Sequence, residues 1–129
     1  MPTPTKWQAY TWEDVGVYLF DLIKGNNGSN ITQASITAIT AKVFDINGTQ
    51  VGATITIDKT TSVFDTVKTK TDDPRYSGKN GFNFRVLIAG TYFPEEGSYR
   101  VEIYFTDTTA PGNVFPDVWE VEAQGILGT

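Results

Sequence analysis

The stretch from Tyr99 to Thr106 alternates without a break. Tyr99, Val101, Ile103 and Phe105 fall on one side of an extended chain, and Arg100, Glu102, Tyr104 and Thr106 on the other. A period of two with one apolar face is the pattern of a half-buried antiparallel strand, because successive strand side chains point to opposite faces. The turn ahead of it, Phe93-Pro-Glu-Glu-Gly97, supplies the proline and glycine that end one element and begin another. This run fixes a fold class dominated by antiparallel strands.

Other segments repeat the pattern. Residues 15–23 are apolar on both faces, with Val15, Val17 and Leu19 on one and Tyr18, Phe20 and Leu22 on the other. Such a strand is covered on both sides, either centrally in the fold or by lending one face to a partner. In residues 35–45, Ile39, Ala41 and Val43 alternate with Thr40 and Lys42, while Ile36 is out of phase and predicts a bulge or a later start. Asn47-Gly48 then reads as a type I′ hairpin turn. It leads into a return strand with Val51, Ala53, Ile55 and Ile57 facing in. A weaker edge strand follows at 62–67. In residues 82–89, Phe82, Phe84, Val86 and Ile88 share a face, and the last strand, 114–123, turns Trp119, Val121 and Ala123 inward. About seven short strands with regular turn signals and no helical period predict an all-β antiparallel sandwich. The 129 residues suit one domain. An aromatic N-terminal arm occupies 1–14, the sandwich 15–124, and a loose tail 125–129.

Two segments stand outside this pattern. The leader carries Trp7, Tyr10 and Trp12 without periodicity. These aromatics either cover one end of the sandwich or dock onto a neighbouring subunit. Residues 68–81 form the longest irregular stretch and hold four of the ten basic residues. A loop of that length usually has a task, and Asp73, Pro74, Arg75, Tyr76 and Lys79 are its candidate contact residues.

Composition excludes much chemistry. The chain has no His and no Cys, so Ser–His catalysis, thiolate chemistry and disulfides are ruled out. The carboxylate pairs Asp72-Asp73 and Glu95-Glu96 sit in turns, where acidic residues are common as turn formers. Asp45, Asn47, Asp107, Asn113 and Asp117 flank turns as calcium ligands often do, but not at calcium-loop spacing. The expectation is a non-enzymatic protein with no cofactor and no metal. A net charge of −5 with scattered basic residues opposes nucleic-acid binding and anionic membranes. The leader has neither the basic nor the apolar region of a secretory signal, which predicts a protein made in the cytoplasm.

The pattern Val43-Phe-Asp-Ile-Asn47-Gly48, the closing strand Gly97-Ser-Tyr-Arg-Val-Glu-Ile103, and the segment Asn113-Val-Phe-Pro-Asp-Val-Trp-Glu-Val-Glu122 together resemble immunoglobulin-like domains. They are most similar to the small domains of tailed-phage virion proteins, such as the amino-terminal domain of upper baseplate proteins. The resemblance spans roughly residues 15–123. It implies an Ig-like sandwich in a structural virion protein: a head decoration, a neck or tail attachment protein, or a baseplate component. Its partners would be other virion proteins, by self-association or contact with capsid, neck or tail proteins. The alternative expectation is a carbohydrate-binding or adhesion module using Tyr76, Tyr92 and Tyr104.

Overall fold

A computed structural model describes residues 5–10, 16–25, 27–108 and 113–124, with the backbone alone described at 5–10 and at 124. The strands are β1 (Thr5–Tyr10), β2 (Val17–Asp21), β3 (Ile36–Phe44), β4 (Gln50–Ile57), β5 (Val63–Lys68), β6 (Phe82–Ile88), β7 (Gly97–Asp107) and β8 (Val114–Gln124). Seven of them build two antiparallel sheets, β2-β6-β5 and β8-β7-β3-β4, in a sandwich-like arrangement. β1 adds to the free edge of β8 in parallel, with Trp7 opposite Val121. A one-turn helix, α1 (Lys59–Ser62), links β4 to β5 and is capped by the Asp58 side chain on the Thr60 amide.

The alternation of β7 translates directly into burial. Tyr99, Val101, Ile103 and Phe105 all enter one core cluster with Trp119 and Val121 of β8. From the opposite sheet, Val17, Leu19, Phe84 and Ile88 meet them. Phe84 packs edge-on against Phe105 at a centroid distance of 5.0 Å, the T-shaped geometry that aromatic quadrupoles favour. β7 lies at the centre of its sheet, between β8 and β3, so the opening strand of the sequence argument is the spine of the larger sheet rather than an edge.

Four local expectations change. The β3–β4 hairpin does not use a type I′ turn. Among the described residues no non-glycine has positive φ, and Gly48 alone in this turn does, at 81°. Gly48 donates to the Asp45 carbonyl and Asp45 to the Thr49 carbonyl, the pattern of a type I turn closed by a glycine bulge. The Asp45 side chain stabilises it by accepting from the Asn47 and Thr49 amides. Ala53 does not face in. The β3–β4 register shifts between Ala41 and Val43, and Gly52 takes a φ of 69°, which turns Ala53 to solvent. Phe82 leaves the face it shares in sequence with Phe84 and packs with Phe20 and Tyr76 instead. Finally, part of the leader is a sheet strand. The predicted bulge near Ile36 is present, as a register shift between Ile36 and Ala38.

Two polar devices lock the frame. Buried Asn83 reaches sixty residues back to Ile23, accepting from its amide at 2.7 Å and donating to its carbonyl at 2.9 Å. At the start of β7, the Tyr99 hydroxyl donates to the Glu95 carbonyl at 2.7 Å and accepts from the Glu95 amide at 3.0 Å. This corner ties the β6–β7 connection to the spine. Tyr99→Phe keeps the ring against Phe93 and removes both bonds. It is expected to lower unfolding stability by about 1–3 kcal/mol, because the Glu95 groups lose a partner in a half-buried place. Urea denaturation with an unchanged m-value measures it.

Candidate functional site

The smaller sheet has a second apolar face, and residues 68–81 cover it. Phe20 and Phe82 meet Tyr76 from the loop, with ring centroids 5.7 and 4.9 Å from that of Tyr76. Tyr18 and Phe64 border the cluster. Tyr76 is only 8% exposed, and its hydroxyl donates to the Gly81 carbonyl. Asp73 is 4% exposed and takes a fork of two bonds from Arg75, at 2.9 Å each, plus one from Arg85 of β6 at 2.9 Å. Arg75 in turn lies over the Tyr18 ring at 3.7 Å. The strand that is apolar on both faces is therefore covered on both, by the chain itself.

This removes two residues from the candidate contact set of the loop. Asp73 and Tyr76 point inward and are unavailable to a partner, while Pro74, Arg75 and Lys79 are exposed. Hydrogen bonds from Arg75 are the main cause that holds the Asp73 carboxyl well below the usual aspartate range.

The larger sheet presents an outer face with a different character. Arg100 donates to Glu102 at 2.6 Å, and the Tyr104 hydroxyl donates to the same carboxylate. The Lys42 ammonium sits 5.9 Å from the Tyr104 ring centre. Burial, with the Glu102 charge beside it, pushes the Tyr104 phenol up to about 12. At one end of this face a concavity of about 510 Å³ is lined by Phe44, Ile46, Arg100, Glu102 and Glu120 among others. Ile46, at the tip of the β3–β4 hairpin, is 79% exposed, the most of any large apolar residue described. An aliphatic tip, a half-buried phenylalanine and an arginine around one depression are groups that interface centres favour.

The remaining candidates are dispersed. Trp7 and Tyr10 belong to β1, in register with Val121 and Gln124, their side chains lying outside the described structure, as does Trp12. Tyr104 is on the outer face of the larger sheet. Tyr92 lies at the β4 edge, its ring against Gly52 and its hydroxyl on the Ala53 carbonyl at 3.3 Å. Tyr76 lies on the smaller sheet. These three tyrosines form no common platform. Among the described residues no group of three or more acidic side chains converges on a metal position. Asp45 is committed to its own turn.

Asp117 is not at a turn but on the inner face of β8. It stands opposite Ile103, 6% exposed, and accepts from the Trp119 indole at 3.0 Å. Its carboxyl is hydrogen-bonded to that of Asp21 on β2. Sequence phase alone points to this pair. Asp21 continues the Val17, Leu19 series, and Asp117 the Trp119, Val121 series. No family model matches the chain, and no curated protein or solved structure is significantly similar to it.

Asp73→Asn is expected to loosen the loop. It removes the charge that holds Arg75 and Arg85, at about 2 kcal/mol, less than the loss of a fully buried pair because Arg75 is half exposed. Trypsin then cuts at Lys70, Arg75 and Lys79 faster than in the wild type. Because the folded Asp73 pKa is depressed, its contribution is full above the ordinary aspartate pKa of about 3.9 and declines as pH falls below it. Loop amide protection in the wild type should therefore decline on acidification below that point. A loop equally resistant in the variant would contradict the clamp.

Proposed function

We propose that the chain is a non-enzymatic structural virion protein of a tailed phage, built as an immunoglobulin-like domain and acting through protein–protein contacts. The observation that carries the contact role is the concavity on the outer face of the larger sheet, with Ile46 largely exposed at its rim and Phe44 and Arg100 within it. Burying an isoleucine of that exposure contributes about 1.5–3 kcal/mol.

The immunoglobulin-like reading is supported by strand order. β2-β6-β5 corresponds to strands B-E-D of such domains, and β8-β7-β3-β4 to G-F-C with an added C′ strand. The Tyr99 hydroxyl, bonded back to Glu95 at the β6–β7 corner, matches the tyrosine corner at the start of strand F. The phage reading is supported by the sequence resemblance of residues 43–48, 97–103 and 113–122. Head decoration, neck or tail attachment and baseplate assembly all fit this role. Contacts would run through the hairpin face, with Pro74, Arg75 and Lys79 on the opposite side and the aromatic leader as further surfaces. The partners are other copies of the chain or capsid, neck or tail proteins, with no part for nucleic acid or membrane.

Gradient-purified particles from the organism encoding the chain should contain it in stoichiometric amounts by quantitative mass spectrometry. Ile46→Asp should lower its incorporation by at least about tenfold, the effect of losing one interface anchor, with the melting temperature unchanged. A chain missing from purified particles, or incorporated equally with Asp at position 46, would overturn the reading.

A further inference from the structure

The most unusual group in the interior is the acid pair that joins the sheets. Asp21 is on β2 and opposes Phe84 of β6; Asp117 is on β8 and opposes Ile103 of β7. Phe84 and Ile103 are fully buried core residues, so both carboxyls occupy inner-face positions between the layers. A direct bond between two carboxyls requires one proton. With it, one carboxyl donates and the other accepts. Without it, two negative charges face each other, that of Asp117 buried and that of Asp21 half-buried and already accepting from the Leu22 amide at 2.8 Å.

We propose that Asp117 and Asp21 form a proton-held latch between the two sheets, closed while the Asp117 carboxyl keeps its proton and released when that proton passes to solvent. The groups around the pair favour retention of the proton. β7 offers Ile103 and β6 offers Phe84, neither charged. β8 offers the Trp119 indole, whose bond to Asp117 favours the ionised form and offsets the effect of burial only in part. The charge that acts on Asp117 is Asp21 itself. The segment covering this end contributes Lys79, which lines with Asp21 and Trp119 a concavity of about 440 Å³. The Tyr76 hydroxyl beside it is engaged by Gly81. Burial first, then the Asp21 charge, push Asp117 up to about 8.

The sign follows from the raised value. The folded state holds a proton that the unfolded chain releases near the ordinary aspartate pKa of about 3.9. The latch contributes fully below that pH, and its contribution declines as pH rises toward about 8. Above it, the end of the sandwich carrying Asp21, Trp119 and the 76–81 segment loosens while the Phe84–Phe105 centre stays packed.

The Trp119 indole is a built-in reporter. Its N–H resonance in the full chain, assigned by its loss in Trp119→Phe, is followed from about pH 5 to about pH 9.5, a range spanning the expected transition. One transition centred near pH 8 is expected. Protection factors at Asp117 and Val118, corrected for intrinsic exchange, should fall through the same range. Asp117→Asn removes the titrating acid and should abolish both changes, whereas Asp21→Asn removes the neighbouring charge and should move the transition to lower pH, because burial of Asp117 remains. A wild-type resonance that does not move overturns the latch without reference to any variant. So does a transition of equal size in Asp117→Asn, an unshifted midpoint in Asp21→Asn, or constant protection at Asp117 and Val118.

Discussion

Among the described residues the smaller sheet has three strands and is apolar on both faces, and much of the structure follows from covering it twice. Its inner face meets the larger sheet through Leu19, Phe84 and Ile88. Its outer face carries Phe20, Phe82, Tyr18 and Phe64, too much apolar surface to leave to water. The chain meets this with residues 68–81. A loop cannot cover a sheet face cheaply, since ordering it costs roughly 1–2 kcal/mol of backbone entropy per residue. Tyr76 supplies apolar burial against that cost, and Asp73 holds the backbone in place through two arginines. Arg85 is the informative member because it comes from β6, so the ion pair joins the loop to the sheet and not merely to itself.

Sequence pattern exposes the periodic half of this design and hides the other half. β7 and the inner face of β8 are legible because one residue type repeats on one face, and the two-faced run at 15–23 correctly required two covers. What covers the second face is not legible. Tyr76 follows Arg75 in a polar, turn-rich stretch, and nothing local separates a tyrosine that reaches back to Phe20 from one that stands in solvent. Hairpin chemistry was half legible. Asn47-Gly48 marks the turn, but Asp45 moves the left-handed position to the glycine alone by accepting two amides. β1 was hidden for a different reason. A parallel edge strand gains its bonds from β8, and its alternation, Trp7 and Ala9 against Lys6 and Gln8, is too short to stand out. The acid pair is the opposite case, since the phase of Asp21 and Asp117 already places both inside. Reading Asp117 as a turn residue gave local composition more weight than period.

A carboxyl pair between apolar layers is a costly choice by ordinary packing rules, because two aliphatic residues would fill the space without a proton. It makes the contact between the sheets at that end conditional, while the aromatic centre remains unconditional. The loop clamp responds in the other direction. Asp73 must be ionised to hold Arg75 and Arg85, whereas Asp117 must be protonated to hold Asp21. The two acids bound a window of pH in which loop and sheets are held together.

The outer face of the larger sheet shows how such a rigid body could discriminate between partners. Arg100, Glu102 and Tyr104 already satisfy one another, so a partner gains little by offering them new charges. It must first separate bonded groups, and exposed ion pairs contribute only about 0–1 kcal/mol. Affinity at that face therefore rests on removing Ile46 and the open side of Phe44 from water. The charges act by exclusion, penalising a partner that sets an acid against Glu102 or a base against Arg100. The fixed hairpin matters for the same reason. Because Asp45 orders the turn before any encounter, Ile46 is presented without the entropy loss a flexible tip would incur on binding.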